Sequence, residues 1–400
     1  MLAKLVVYDE LYKKYFAEYW NPYTISEGMP NCKVLATDGS QGIAPIGNGG
    51  MFYVVRALAI NKEKRYRKIF ADFNYSNERN FSNFIGRLME WTEHLVTIQA
   101  IKDGFNDYVL IDGSIYGRLV HVPLELDLLN SKGFMIEYFE TLMELLDLCQ
   151  ERKIPIIGVS KESRTSFFRE FLIKEILKEI IPNDSFRKRL ISTTLDNRRL
   201  GLIEAQKTGD SKIIKLIDEL VNRKPDSLLI LNNVNSAGYT KPLLLGGSQR
   251  WIRSMEEIKR NPRNFVRSRF PVSSDDPEFI KRASIVVNKL LDVPAIISFH
   301  FLPKVIDTPM RIDIPAWLFE SNIKLKDIGW PKPKVIDLKN ILDMLSSGYC
   351  GLENYNIWLS HVDSEVKLTR KMFEDLYLNK FEEIVGKYST ARGYRRVKYP

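Results

Sequence analysis

The spacing of apolar residues predicts strands first and helices afterwards in the N-terminal part of the chain. Residues 34–36 form a short apolar run, which predicts a buried strand that ends at Asp38. The β-branched and aromatic residues 51–60 predict a second strand, and a turn over residues 61–64 leads into a third over residues 66–73. Because the loops between these strands are short, we expect an antiparallel meander.

A helical period follows the meander. Apolar residues recur at steps of three and four from residue 77 to residue 101, which predicts a helix. A fourth strand is predicted to end at Asp112, a second helix to cover residues 135–152, and a fifth strand to cover residues 154–159. The predicted order is therefore three strands, helix, strand, helix, strand. Ahead of it, an amphipathic helix over residues 4–20 is expected to end at Asn21-Pro22.

The rest of the chain divides by composition. We predict three segments: residues 1–166 form the first part of a core, residues 167–293 a mainly helical and more polar insertion, and residues 294–400 the strands and helices that complete the core. The elements expected in the last segment are strands over residues 295–301 and 310–317 and helices over residues 335–345 and 364–388.

Two predicted strands each run into the sequence Asp-Gly-Ser, at Asp38 and at Asp112. If both strands lie in one sheet, the two carboxylates meet at one edge of it. Such a pair repels unless a cation lies between its members, and hard divalent cations prefer oxygen ligands. The alternative is that Asp-Gly is ordinary turn chemistry, although its repetition after a buried strand favours a site.

The predicted element order matches a ribonuclease H-like core, an α/β fold with a mixed five-stranded sheet and flanking helices. In that architecture the first strand, the helix after the meander and the fourth strand each present an acidic residue. The helix over residues 77–101 carries Glu90 and Glu93, three residues apart on one face. Three carboxylates from separate elements can hold two divalent ions about 4 Å apart, one activating water and one stabilising the leaving oxygen. The alternative is that both glutamates belong to a solvated helix face.

Composition narrows the class of protein. The formal charge of +9, from 59 basic and 50 acidic residues, suits a polyanionic partner without identifying one. With 44% hydrophobic residues the chain can bury a sizeable core. Three widely spaced cysteines favour a reduced, intracellular protein. We expect no signal peptide and no membrane span, and hence a cytoplasmic location.

Several motifs together resemble the NurA nucleases of archaea and some bacteria. The matching stretches follow the family order over most of the chain: Asp-Gly-Ser-Gln from Asp38, Leu-Ile-Asp-Gly-Ser at residues 110–114, Gly-Val-Ser-Lys-Glu-Ser-Arg at residues 158–164, Met-Arg-Ile-Asp-Ile-Pro-Ala-Trp at residues 310–317 and Leu-Ser-His at residues 359–361.

The resemblance implies a DNA nuclease dependent on manganese or magnesium, with 5′-3′ exonuclease activity on duplex ends and endonuclease activity on single strands. It also implies a ring-like homodimer that works with the hexameric translocase HerA in end resection, the step that prepares a double-strand break for repair by homologous recombination.

The resemblance also assigns residues. Asp38 and Asp112 fit the aspartate positions directly, and Glu93 fits the spacing between them better than Glu90. The late histidine of the family corresponds to His361. A family tyrosine in a Gly-Tyr-Pro context has its counterpart in Tyr349, although proline is absent here and the residue lies a few positions too far upstream.

Basic residues provide the candidate DNA contacts. Lys161 and Arg164 follow the fifth strand, where they are placed to hold a phosphate, or to lie in an ordinary solvated turn. The stretch 250–269 includes Arg263, Arg267 and Arg269 as phosphate contacts. Between its basic residues lie Trp251 and Phe265, on which DNA bases could stack. A helix surface balanced by its own glutamates is the alternative for this stretch. Arg311 either reaches a central groove or pairs with Asp313.

Two other function classes remain open from the sequence. An ATPase of the actin and sugar-kinase class also has Asp-Gly turns after strands, but it would need two similar domains and a late Gly-Gly adenosine motif, for which Gly246-Gly247 is the candidate. A DNA-binding scaffold without catalytic activity is the second alternative, in which the acidic residues serve only the fold.

Overall fold

A computed structural model describes residues 10–25, 32–75 and 78–385. Its strands, in chain order, are β1 (Trp20–Pro22), β2 (Val34–Pro45), β3 (Met51–Ile60), β4 (Arg65–Asn74), β5 (Tyr108–Asp112), β6 (Ile156–Ser160), β7 (Gly238–Thr240), β8 (Leu243–Leu245), β9 (Ile296–Leu302), β10 (Met310–Pro315) and β11 (Lys332–Pro333).

The helices in chain order are α1 (Glu10–Tyr19), α2 (Glu78–Lys102), α3 (Ile115–Leu119), α4 (Phe134–Glu151), α5 (Phe167–Ile180), α6 (Asp184–Asp196), α7 (Arg198–Gln206), α8 (Ser211–Asn222), α9 (Asp226–Asn233), α10 (Gln249–Arg260), α11 (Pro262–Arg269), α12 (Pro277–Lys289), α13 (Lys339–Ser347), α14 (Ile357–Val366), α15 (Arg370–Phe373) and α16 (Asn379–Val385). A π-helical turn, Glu374–Leu378, joins the last two. Within the described ranges no helix is both long and apolar enough to cross a membrane.

One mixed sheet organises the fold. Its main strand order is β1-β7-β9-β10-β6-β5-β2-β3-β4, with β8 attached to β9 and β11 to β8. The meander predicted from short loops is confirmed, because β2, β3 and β4 pair antiparallel in sequence. Strands β2, β5 and β6 are mutually parallel, joined through α2 and α4. The mixed α/β class expected from the sequence is therefore correct.

The sheet is larger than the five strands expected of the core, since its described part has eleven. The five expected strands lie next to one another, and β10 then pairs antiparallel with the outer edge of β6. An exposed strand edge leaves backbone N–H and C=O groups without partners, which an added strand satisfies. Short strands β7 and β8, from the mainly helical segment, also pair with β9. The division into three segments stays a prediction.

Two layers of helices cover the sheet. One face packs against α2, and α4 lies on α2, in a core that includes Leu35, Ile85 and Phe139. The other face packs against α13 and α14, in a second core that includes Ala36, Leu110 and Val362. Successive strand residues point to opposite faces, so this division fixes the direction of each side chain along β2 and β5.

Two terminal predictions are only partly testable. The N-terminal helix is described from Glu10, and the start predicted at residue 4 lies outside the described residues. The last predicted helix, residues 364–388, is interrupted, because α14 ends at Val366 and Thr369 accepts a hydrogen bond from the Met372 N–H to begin α15. Its final residues, 386–388, also lie outside the described part.

Candidate metal centre

Asp38 and Asp112 stand side by side on neighbouring parallel strands. The register of β2 and β5 pairs Thr37 with Ile111, and the two aspartates are the next residues on each strand. Ala36 and Leu110 belong to the core under α13 and α14, so Asp38 and Asp112, two residues later, point to that same face. The register thus places the two aspartates on one face of adjacent strands, and their assignment as metal ligands stays a prediction.

The chain around Asp38 differs from the expected strand end. Strand β2 continues through Gly39 and Gly42 to Pro45, so Asp38 lies within a strand and not before a turn. Only the second Asp-Gly pair makes a turn, at Gly113 with a φ of 109°. Gly39 is needed for space instead: a Cβ at this position would lie 2.6 Å from Oε1 of Glu93.

Burial and neighbouring charge act strongly on Asp38. Its side chain is 7% exposed, and it accepts a 2.8 Å hydrogen bond from the Gly39 N–H. Burial first, then the negative charges of Asp112 and Glu93, raise the pKa of Asp38 to about 8. A group of carboxylates held this close favours either a shared proton or a bound cation.

Glu93 approaches from the opposite helix layer. It lies on α2, is 1% exposed, and extends into the space that Gly39 leaves free. Its carboxylate accepts a short hydrogen bond from the guanidinium of Arg118, which also contacts the ring of His94 and the carbonyl of Asp112. Burial raises the pKa of Glu93 to about 7, although the Arg118 charge opposes this shift.

Glu90, the alternative helix carboxylate, faces elsewhere. It accepts a 2.6 Å hydrogen bond from the Tyr138 hydroxyl and lies 3.3 Å from the ring of His121. Burial would raise its pKa, but the hydrogen bond with His121 and the Arg118 charge lower the pKa to about 2. Among the two glutamates, it is Glu93 that contributes to the shift of Asp38.

Asp112 is held by a cation and a hydroxyl. Its Oδ2 lies 3.0 Å from Nζ of Lys161 and accepts a 3.1 Å hydrogen bond from the hydroxyl of Tyr355. The Lys161 ammonium also lies 4.7 Å from the centroid of the Tyr355 ring. Burial would lower the pKa of Lys161, but the charge and hydrogen bond of Asp112 raise it overall.

Comparison with known proteins identifies the family. The sequence model of the family described as the NurA domain matches residues 32–368. The chain belongs to the NurA domain family. A search of curated protein sequences found no match.

Solved NurA structures resemble the fold. The NurA nuclease from Sulfolobus solfataricus is 14% identical, with a TM-score of 0.51 over 96% of this chain and 92% of its own. NurA with manganese is 15% identical with a TM-score of 0.41, over 95% of this chain and 96% of its own. NurA bound to dAMP and manganese is 14% identical with a TM-score of 0.41, over 93% and 92% respectively.

Two residues near the carboxylates escaped the sequence analysis. The hydroxyl of Tyr355 donates a hydrogen bond to Asp112, a contact that Tyr349 does not have in the described residues; Tyr355 also lies nearer in sequence to His361 than Tyr349 does. Asp363, on α14, contributes to the raised pKa of Asp38 through its charge. The sequence could have indicated Asp363 through the apolar pattern of α14, because Val362 and Val366 pack against the sheet and Asp363 lies next to Val362.

The two family-derived residues His361 and Tyr349 do not join this group. His361 is exposed on α14 and lies 3.7 Å from Glu365, one turn later; Asp363, two residues on, faces a different side because each residue turns the helix by about 100°. The Tyr349 hydroxyl donates a 2.7 Å hydrogen bond to Asp307. Both assignments lack a described contact with Asp38, Glu93 or Asp112.

Arg311 is not available to DNA. It is 2% exposed, donates to Asp313 at 2.9 Å and to the Ser298 hydroxyl at 3.0 Å, and lies over the rings of Tyr116 and Phe167. Of the two alternatives from sequence, pairing with Asp313 is correct. Buried Asp313 also accepts bonds from the Ser114 hydroxyl and the Tyr116 N–H, and so fixes the loop that follows Asp112.

The stretch 250–269 forms α10 and α11, with its aromatic residues inside. Trp251 and Phe265 are 1% and 3% exposed, so the expectation that they stack on bases was wrong. They occupy the apolar side of two amphipathic helices. Arg263 and Arg267 are exposed, while Arg269 pairs with Glu257 at 2.9 Å. Helix α11 packs on α12, which packs on α4, on the side of the sheet opposite α14.

The residues present fit a divalent cation by their chemistry. Asp38, Glu93 and Asp112 supply carboxylate oxygens, and the pKa of Asp38 is raised by burial and then by the negative charges of the other two, which a cation would offset. In the described residues, however, no group of three ligating side chains already has metal-binding geometry. In this structure Arg118 forms an ion pair with Glu93, and Lys161 forms one with Asp112.

Proposed function

We propose that this protein is a metal-dependent deoxyribonuclease that hydrolyses phosphodiester bonds. The observation that carries the proposal is the pair Asp38 and Asp112, in register on parallel strands. Membership of the NurA domain family supports it, as does the fold shared with a structure described as a NurA nuclease.

Five neighbouring strands support a ribonuclease H-like core. Strands β4, β3, β2, β5 and β6 are consecutive in the sheet, with an antiparallel meander on one side and two parallel strands on the other. In this proposal β9, β10 and the short strands extend the core at its β6 edge.

Each side chain has a proposed role. Asp38, Glu93 and Asp112 would hold Mn²⁺ or Mg²⁺, with two ions in the complete site. The bound metal supplies an activated water and stabilises the leaving oxygen. Lys161, paired with Asp112 in this structure, is placed to contact a substrate phosphate, and exposed Arg164 a neighbouring one. Tyr355 orients Asp112 through its hydroxyl.

The proposed substrates, partner and cellular process follow from the family resemblance. We propose single-stranded DNA and the 5′ ends of duplex DNA as substrates, and a homodimer that works with a HerA-type hexameric translocase. The process would be end resection in recombinational repair, in the cytoplasm.

Metal removal provides the direct test. We expect cleavage of labelled single-stranded DNA by the purified protein to stop in chelator and to return with Mn²⁺ or Mg²⁺, since carboxylates are the proposed ligands. Product length over time, measured on 5′- and 3′-labelled strands, reports polarity. Undiminished cleavage in chelator would refute metal dependence, and no cleavage with either metal would favour the scaffold hypothesis.

The ATPase hypothesis loses its remaining sequence support. A Cβ at Gly246 would lie 1.8 Å from the carbonyl oxygen of Ile328, and one at Gly247 would lie 2.3 Å from the Trp251 ring. These glycines therefore allow the chain after β8 to pack closely against Ile328 and α10, and they do not form an open nucleotide loop. The single large sheet also differs from the two similar domains that such an ATPase needs.

The α11 arginines remain candidates for DNA binding. Replacing Arg263, Arg267 and Arg269 by alanine should weaken binding of DNA and reduce its salt dependence, because each lost phosphate contact lowers the slope by about 0.7 to 0.9. Fluorescence anisotropy over a potassium chloride series measures both. If affinity and slope stay as in the wild type, these arginines belong to ordinary surface.

A further inference from the structure

A cavity lies on the outer part of the sheet, on the face that α14 covers. Its volume is about 330 Å³. Strands β3 and β4 form the floor, and the end of α14 and the following helical turns form the wall. Its lining includes Arg56, Arg67, Ile69, Met372 and Tyr377.

Positive charge exceeds negative charge in this groove. Arg67 is exposed on this face, whereas Lys68 pairs with Ala57 of the α2-side core and therefore points to the opposite face. The only lining carboxylate among the described residues is Glu365, which lies 3.6 Å from Arg67. Arg56 adds a further positive charge, although its guanidinium already donates to the Val366 and Lys367 carbonyls at the end of α14. An anionic ligand therefore suits the groove better than a neutral or cationic one.

Apolar surface lies directly beside these charges. Ile69 is 48% exposed and Met372 37% exposed, and both line this groove. Tyr377 is half-buried and presents an aromatic ring to the same space. A ligand that combines an anionic group with a flat, weakly polar one matches this mixture. A nucleotide has both, because its phosphate is charged and its base stacks on aromatic rings.

The strand register connects the groove to the aspartate pair. Asp38 pairs with Leu58 on β3, and Leu58 pairs with Arg67 on β4. Directly opposed residues in a sheet point to the same face, so Asp38, Leu58 and Arg67 form one row. Adjacent strands are about 4.8 Å apart, which puts the Arg67 backbone about 10 Å from that of Asp38. Leu58 itself lines the groove.

We propose that this groove binds the single-stranded DNA next to the bond that is cleaved. Arg67 holds a backbone phosphate, and Tyr377, with Met372 and Ile69, receives a base. The inference rests on the proposed function in taking DNA as the ligand, and it adds a binding site outside the carboxylate group.

The charge test uses the variant Arg67→Ala. The matched control is Lys281→Ala on α12, an exposed lysine on the opposite side of the sheet. Both variants are made in an Asp38→Asn background, so that labelled oligo(dT) is bound without being cut. We expect the groove variant to weaken binding about threefold and to lower the salt slope by about 0.7, for one lost contact on a single strand.

The stacking test uses Tyr377→Leu and Tyr377→Phe. Leucine removes the aromatic ring, and we expect at least about fivefold weaker binding of oligo(dT). Phenylalanine retains the ring and should bind as the parent does. An abasic strand of equal length should bind the leucine variant and the parent equally, because it has no base to stack. Thermal unfolding of each variant checks that the fold is kept.

Distinct outcomes separate the two proposals. Unchanged affinity and slope in the groove variant, or an equal loss in the α12 control, overturn the groove. If the wild type still cleaves DNA with Mn²⁺ in that case, the proposed nuclease function stands without it. If the wild type neither binds nor cleaves the strand under any metal condition, the proposed function fails, and the groove proposal fails with it.

Discussion

The Asp38→Asn variant should lose metal-dependent DNA cleavage while becoming more stable than the wild type at alkaline pH. An amide keeps the volume of the side chain but removes the charge that would bind a metal. Without the metal, the transition state of cleavage loses several kcal/mol of stabilisation, which lowers the cleavage rate about a thousandfold or more. Asp112→Asn should behave alike in cleavage, since both residues belong to one pair.

The gain in stability follows from the raised pKa. In the folded, metal-free protein the pKa of Asp38 is about 8, against 3.8 in an unfolded chain. Between these values the folded state holds a proton that the unfolded state has released, so the free energy of unfolding of the wild type falls as pH rises. Asparagine has no such penalty. The two proteins should be equally stable near pH 4, and the variant more stable by a few kcal/mol at pH 8 to 9.

Urea unfolding in chelator at pH 4.5, 6.5 and 8.5 measures this difference. Adding Mn²⁺ should then stabilise the wild type and not the variant, by about 2.7 kcal/mol at a concentration one hundred times the dissociation constant. The matched control is Asp72→Asn, because exposed Asp72 also accepts a 2.8 Å hydrogen bond from the next N–H. Cleavage by Asp38→Asn within tenfold of the wild type would exclude Asp38 as a ligand.

Glu93→Gln should abolish cleavage as completely as Asp38→Asn, whereas Glu90→Gln should keep a substantial fraction of it. Glu93 extends over Gly39, the residue that follows Asp38, while Glu90 is bound by Tyr138 and His121. The single change at Glu93 carries a structural cost, because it leaves the buried guanidinium of Arg118 without its carboxylate. Breaking a buried ion pair in this way costs about 3 to 5 kcal/mol.

A neutral pair separates the catalytic effect from the structural one. The double variant Glu93→Gln with Arg118→Gln removes both charges, so it should recover most of the lost stability and remain inactive. Single-turnover cleavage and thermal unfolding are measured on the wild type, Glu93→Gln, Glu90→Gln and the double variant. An active double variant would mean that Glu93 serves only to compensate Arg118. If Glu90→Gln loses cleavage and Glu93→Gln retains it, the metal ligand lies one turn earlier on α2.

Periodicity predicted the elements around the candidate centre closely. The second strand was expected at residues 51–60 and is found there, and α2, α4 and β6 lie within two residues of their predicted bounds. These elements have long, regular apolar patterns, which respond to one buried face. Short elements such as β7, β8 and β11 have two or three residues each, too few to show any period, and they form only because a neighbouring strand edge needs partners.

The sequence by itself determined the paired aspartates after apolar strands, the helix with Glu90 and Glu93, and the family motifs. Tertiary structure decided what these residues touch. It extended β2 past Asp38, turned Glu93 and not Glu90 toward Gly39, and paired Arg311 with Asp313. It also brought Tyr355 and Asp363 near residues more than 240 positions earlier in the chain. Local patterns report burial and turn chemistry, but contacts between distant segments depend on how the sheet and its two helix layers assemble.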